Sequence, residues 1–104
     1  MNLPTVIADL VKAQNHFDST AYANCFTETA VVFDEGKTHK GKAEIKNWIE
    51  KAHEQYQVTM APLEYSETEQ TLKAEITGTF TGSPLVLAYH YEFKDKLIQS
   101  LEIV

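Results

Sequence analysis

Thr71-Leu72-Lys73-Ala74-Glu75-Ile76-Thr77-Gly78-Thr79-Phe80-Thr81 alternates between apolar or small residues and polar ones along its whole length. On an extended chain Leu72, Ala74, Ile76, Gly78 and Phe80 fall on one side and Lys73, Glu75, Thr77 and Thr79 on the other, so the stretch is a strand with one buried face. Thr81-Gly82-Ser83-Pro84 supplies a turn. The following strand, Leu85 to Phe93, puts Leu87, Tyr89, Tyr91 and Phe93 on one face and Val86, Ala88, His90 and Glu92 on the other. Lys94-Asp95-Lys96 then turns the chain into a last strand that runs to Val104. One-sided strands of this kind belong to an antiparallel sheet with one solvated face.

Upstream of Gln57 the spacing is helical instead. Leu3, Val6, Ile7, Leu10, Val11 and Phe17 recur every three or four residues, with Pro4 in the first turn, which predicts one amphipathic helix. Asp18 or Ser19 caps a second, shorter helix in which Tyr22, Cys25 and Phe26 share a face, ending near Thr27. Ala30 to Asp34 is a compact β-branched and aromatic run closed by Glu35-Gly36, hence a strand and a turn. Both its faces are apolar, which predicts cover on both sides. After a short strand around Thr38 and His39, Gly41 precedes a third helix, where Ile45, Trp48, Ile49, Ala52 and Tyr56 keep helical spacing. Helices come first and strands last, so residues 1–104 are expected to form a single α+β domain, its helices packed on one face of a curved, mainly antiparallel sheet.

Charge and composition narrow the function classes. Nine Lys and Arg against fifteen Asp and Glu give a net charge of -6, which repels a phosphate backbone and argues against nucleic acid as a partner. No apolar run reaches the ~20 residues that span a bilayer, and Met1-Asn2-Leu3-Pro4-Thr5 lacks a basic leader region. No membrane association is expected. Cys25 is the single cysteine, without a second thiol for a disulfide, redox or zinc motif, which suits a cytoplasmic protein. The four histidines are scattered away from any metal-ligand spacing, and neither a Gly-rich phosphate loop nor a nucleophile-elbow motif occurs. Neither a metal nor a cofactor is expected.

Cys25-Phe26-Thr27-Glu28-Thr29-Ala30-Val31-Val32-Phe33-Asp34, followed by Lys40-Gly41-Lys42-Ala43-Glu44-Ile45-Lys46-Asn47-Trp48-Ile49, resembles the nuclear transport factor 2-like superfamily, in particular its SnoaL-like branch. The resemblance covers nearly the whole chain. It implies a cone, in which a bent sheet wraps around N-terminal helices and leaves an apolar pocket open at one end. It also implies binding of a small apolar molecule, with isomerisation, cyclisation or dehydration among the family's reactions, or non-catalytic binding or a dimeric interaction role in the same fold. A homodimer paired through the sheet is expected from it as well. Asp34 falls where ketosteroid isomerase carries its catalytic aspartate. Gapless matching of Asp18 to Phe26 places that enzyme's helix-one tyrosine at Leu10 and its second, protonated aspartate near Tyr89.

Candidate site residues follow from this frame. If Asp34 shares an inward face with Ala30 and Val32, desolvation raises its pKa and makes it a general base, whereas a solvated turn would leave it ordinary. Tyr89 could donate to a developing oxyanion, or serve with Tyr91 as a core aromatic. Leu10, Val32, Leu87, Tyr91 and Leu101 are expected to line the pocket, with His16 near its mouth. His39 and His53 read as surface residues, His90 as a residue of the outer sheet face, and Tyr22 and Tyr56 as helix packing. Cys25 has no basic neighbour to make a thiolate and reads as buried.

Overall fold

A computed structural model describes all residues, Met1–Val104. Three helices, α1 (Thr5–Asn15), α2 (Ser19–Ala23) and α3 (Gly41–Tyr56), alternate with and then precede six strands: β1 (Phe26–Asp34), β2 (Lys37–Lys40), β3 (Thr59–Ser66), β4 (Thr71–Thr77), β5 (Leu85–Lys94) and β6 (Leu97–Ile103). The strands form one sheet in the order β2-β1-β6-β5-β4-β3. Every pair is antiparallel except β1 and β6, which run parallel. The expected α+β cone with a mainly antiparallel sheet is therefore the observed architecture. No helix is long and apolar enough to cross a membrane.

Local chemistry explains the elements. Asp18 accepts the Ala21 N–H at 3.0 Å and so starts α2. Glu44 reaches back to accept the Lys40 N–H at 2.9 Å at the start of α3, and Gln57 ends that helix in the left-handed conformation. Glu35 and Gly36, and again Asp95 and Lys96, both take positive φ, as two-residue hairpin loops require. Gly78 is fixed by crowding, because a Cβ there would sit 2.6 Å from the Tyr56 carbonyl oxygen.

The core lies between the helices and the concave sheet face. Ile7 and Leu10 of α1, Ile45 and Ile49 of α3, and Leu72, Ala74, Tyr89, Tyr91, Ile98 and Leu101 of the sheet are all buried there. Asn15 ties the end of α1 to β3: its amide donates to the Met60 carbonyl at 2.9 Å and its carbonyl accepts the Met60 N–H at 2.7 Å.

Three boundaries differ from expectation. Helix α2 stops at Ala23 instead of near Thr27, and β1 starts four residues before Ala30. Strand β4 ends at Thr77, where Gly78 meets the Tyr56 carbonyl, so Thr79 and Phe80 leave the ladder. The outer face of β1 is also uncovered: Phe33 is exposed and Val31 half-buried, because every helix packs on the other side.

Candidate functional site

Strand β1 alternates in burial toward its end. Ala30 and Val32 are wholly buried, Phe33 is exposed, and Asp34 takes the next inward position. The hairpin loop at Glu35-Gly36 follows at once, so Asp34 is the last side chain β1 can send inward. Its carboxyl is half-buried. Burial pushes its pKa above the usual carboxylate value, and the Glu35 charge adds to this. The Trp48 indole N–H and the Glu35 backbone N–H pull the other way by favouring the ionised form.

Sheet register sets what lies beside it. Asp34 pairs with Ile103, Ile103 with Tyr89, and Tyr89 with Leu72, making one cross-strand row. The next row runs Val32, Leu101, Tyr91. The Tyr89 and Tyr91 rings stack at 6.4 Å, and Tyr91 stacks on Phe93 at 5.7 Å. From the helical side Tyr22 enters the same interior, within electrostatic reach of Asp34, Tyr89 and Tyr91. Burial drives the proton affinity of all three phenols upward, so they are neutral donors at any physiological pH.

Two of these donors are unpaired: the Tyr22 and Tyr91 hydroxyls are buried without a hydrogen-bond partner, as is the Gln14 carbonyl oxygen. An unpaired buried polar group costs about 1–3 kcal/mol, and such groups are exceptional in folded proteins. The interior thus combines one proton-accepting carboxyl with unsatisfied phenol donors, which suits abstraction of a proton beside a carbonyl and stabilisation of the resulting oxyanion.

The other expected site residues divide. Leu10, Val32 and Leu101 are fully buried walls of this interior, and Leu87 is half-buried against it. His16 does not join them. It is the exposed C-cap of α1, and Phe17, in the left-handed region with φ 55°, turns the chain away from the interior. Neither of two hollows on the surface is the open apolar pocket implied by the resemblance. One, about 340 Å³, lies on the outer sheet face between Phe33, His90, Glu92, Ser100 and Glu102; the other, about 410 Å³, lies beside α3 between Phe17, Ser19, Lys46, Glu50, His53 and Glu54. In a chain this small Tyr22, Phe26 and Leu10 fill much of the space between helices and sheet. Cys25 is buried and its thiol is pushed up to about 11, far from a thiolate. No group of His, Cys, Asp and Glu side chains is arranged to hold a metal ion.

Tyr22, Gln14 and Trp48 were not read as site residues from the sequence. Gln14 carried a signal, since it stands at helical spacing from Ile7 and Leu10 on an apolar stripe.

His53, expected at the surface, is instead 7% exposed, with both ring nitrogens unpaired and Phe17 at 5.2 Å. Burial lowers its pKa below the usual 6.5 and outweighs the opposing pull of Glu50. A depressed folded-state pKa gives stability that is present above the unfolded value and lost as pH falls through the folded one. Thermal stability should therefore decline as pH falls from about 7 through the folded-state value. His53→Gln should flatten that decline without removing it, because His39 is shifted in the same direction. An identical slope in melting scans of the two proteins would contradict the assignment.

No protein-family model matches the chain, and no curated protein matches it in sequence. Solved structures do. A protein of Sinorhizobium meliloti, provisionally named a polyketide cyclase, is 33% identical with a TM-score of 0.91, over 98% of this chain and 95% of that one. A Catenulispora acidiphila protein with a ketosteroid isomerase-like fold, solved with trimethylamine, is 18% identical with a TM-score of 0.87, over 99% of this chain and 86% of that one. A second provisionally named polyketide cyclase, from Silicibacter, is 16% identical with a TM-score of 0.80, over 95% of this chain and 85% of that one. The last two share the fold alone.

Proposed function

The chain belongs to the nuclear transport factor 2-like superfamily, in its SnoaL-like branch, and from that premise we propose that it binds a small, largely apolar carbonyl compound inside the cone and moves a proton on it, with Asp34 as the base. The observation that carries this reading is the inward Asp34 carboxyl, raised by burial, beside the unpaired Tyr22 and Tyr91 hydroxyls. Asp34 takes the proton from a carbon next to the carbonyl. A phenol donates to the oxygen where the charge develops, and the proton on Asp34 is then returned to another carbon in an isomerisation, to the oxygen of a second carbonyl attacked by the enolate carbon in a ring closure, or to a departing hydroxyl that leaves as water in a dehydration. The provisional name of the Sinorhizobium meliloti relative supports a carbonyl-rich substrate, since carbons flanked by carbonyls lose protons readily.

A titration of the Asp34 carboxyl by NMR tests this directly. A midpoint above the ordinary aspartate value of ~3.9 is expected. A midpoint at or below it would make Asp34 a solvated turn residue and end the catalytic reading.

Leu10, an apolar residue at the position of the isomerase's helix-one tyrosine, favours a second reading, in which the same interior only binds. Under that reading Asp34 could be replaced without loss of function.

We also propose that two copies pair through the outer sheet face. That face leaves Phe33, Val86 and Val104 exposed, an apolar set that a second copy would cover. A stable two-fold contact buries upward of ~1,000 Å² in total. Sedimentation at micromolar concentration should give twice the chain mass of 11.8 kDa, and a lone 11.8 kDa species would refute the pairing.

A further inference from the structure

We infer that the hollow beside α3 is a second small-molecule site, separate from the interior around Asp34, and that it takes a short primary amine in its ammonium form. The hollow, about 410 Å³, is bordered by Phe17, Ser19, Lys46, Glu50, His53 and Glu54, none of which belongs to the Asp34 interior. His53 is the residue that calls for a guest. Only 7% of it is exposed, and neither ring nitrogen has a hydrogen-bond partner. A buried polar atom left unpaired costs stability that a partner would restore, so an imidazole kept in this state at the edge of a hollow suits binding. Phe17 covers it, with ring centroids 5.2 Å apart and 59° between the planes. The Phe17 backbone is tied to α1 through its N–H, which donates to the Gln14 carbonyl at 3.1 Å, but its side chain is 45% exposed and has room to move aside.

The chemistry of the border selects the guest. Glu50 and His53 stand three residues apart on α3, and Glu50 and Glu54 four, so the three share one helix face. The two ion pairs of the chain, Lys42 with Glu28 and Lys73 with Glu64, lie elsewhere, and Lys46 at the border engages neither carboxylate. Glu50 is held only by the Ser19 hydroxyl, which donates to it at 3.2 Å. Burial favours the neutral imidazole, which offers one nitrogen as an acceptor. Two carboxylates and one nitrogen lone pair make three acceptors, matching the three N–H donors of a primary ammonium. The Phe17 face adds a cation–π surface on which a short alkyl chain can also rest. These groups are not arranged to hold a metal ion. An ammonium asks for a wider ring of acceptors, because its N–H···O contacts of ~2.8 Å exceed metal–oxygen bonds of ~2 Å. An anion would face both carboxylates, and the net charge of -6 draws cations toward the chain as a whole.

Butylammonium chloride, n-butanol and sodium butyrate share an alkyl chain and differ in charge, which makes them the probes. The chain has four histidines, and His53→Gln identifies the His53 ring signals in NMR spectra by their loss. In the unmutated protein at neutral pH, butylammonium should move those signals along a saturating curve, and the Phe17 ring signals with the same midpoint. Butanol, butyrate and sodium chloride at equal ionic strength should not. Glu50→Gln and Glu54→Gln, both at exposed positions, should each weaken butylammonium binding on the order of ten- to a hundredfold, the worth of a charge-assisted hydrogen bond. Absence of a saturating shift, an equal shift with sodium chloride, or undiminished binding by both variants would overturn the site. Saturation of the same signals by butanol would assign the hollow a neutral guest and overturn the amine. The Asp34 titration bears on none of these outcomes, so the two readings stand or fall separately.

Discussion

Asp34→Asn should leave the fold intact and slow proton transfer by roughly 10²- to 10⁴-fold, the usual worth of a positioned general base. A suitable probe is 2-tetralone, an apolar bicyclic ketone whose α-protons exchange with deuterated solvent through an enol. The unmutated protein should accelerate that exchange and the variant should not, whereas both should bind the ketone similarly because Asn keeps the shape of Asp. Equal exchange rates would rule Asp34 out as the base. The variant should also melt somewhat higher at neutral pH. The folded-state pKa of Asp34 is raised, so its contribution to stability is present below the unfolded value and lost as pH rises through the folded one. Above that range the buried charge is a net cost of folding, which Asn avoids. This gain should vanish near pH 4, a sign opposite to that of His53.

Phe26→Ala should be the most damaging core truncation. Phe26 is completely buried and opens β1 just before the register shift that separates it from Val31. Its ring lies 5.6 Å from that of Tyr22, which in turn touches Trp48. Removing it should cost about 3–5 kcal/mol, from lost transfer free energy and the cavity left behind. At about 4–8 °C per kcal/mol for a domain this size, the melting temperature should fall by more than ~12 °C. Phe26→Leu, which keeps most of the volume, should lose far less. A loss under ~1 kcal/mol for Phe26→Ala would mean that this end of the core collapses freely, and that Tyr22 is not held from below.

What the sequence disclosed was whatever its periodicity carried cleanly. Leu72, Ala74 and Ile76, and then Tyr89 and Tyr91, alternate without interruption, and each lies on the concave face as read. For Asp34 the same count from Ala30 and Val32 offered an inward position, but the Glu35-Gly36 turn beside it left a solvated reading equally open. The start of β1 was hidden for a physical reason. The irregularity between Phe26 and Val31 breaks the alternation, and Tyr22, Cys25 and Phe26 happen to satisfy helical spacing, so the strand looked like a longer helix. His53 was masked differently: it stands four residues after Ile49 on the apolar stripe, but Lys51 and Glu54 around it gave the segment a solvated look. Tyr22 could be read only as an aromatic on a helix face, because its meeting with Trp48, Tyr89 and Tyr91 is made by chain distant in sequence. The open face of β1 was misjudged because apolar residues on both sides of a strand look the same whether a helix or another copy of the chain is to cover them.

The amide of Asn15, which clasps Met60 from the side, also does the work of a missing neighbour strand. Strand β3 is the long free margin of the sheet, and a margin with bare N–H and C=O groups recruits further strands from other molecules. At Met60 both groups are already engaged by one side chain, Pro62 has no N–H to offer, and the ladder is irregular between Pro62 and Glu64. The opposite margin, β2, is only four residues long and carries Lys37 and Lys40. Open-ended, fibre-like growth by sheet extension is thereby disfavoured at both ends, and the pairing proposed above would use the outer face of the sheet instead of its margins.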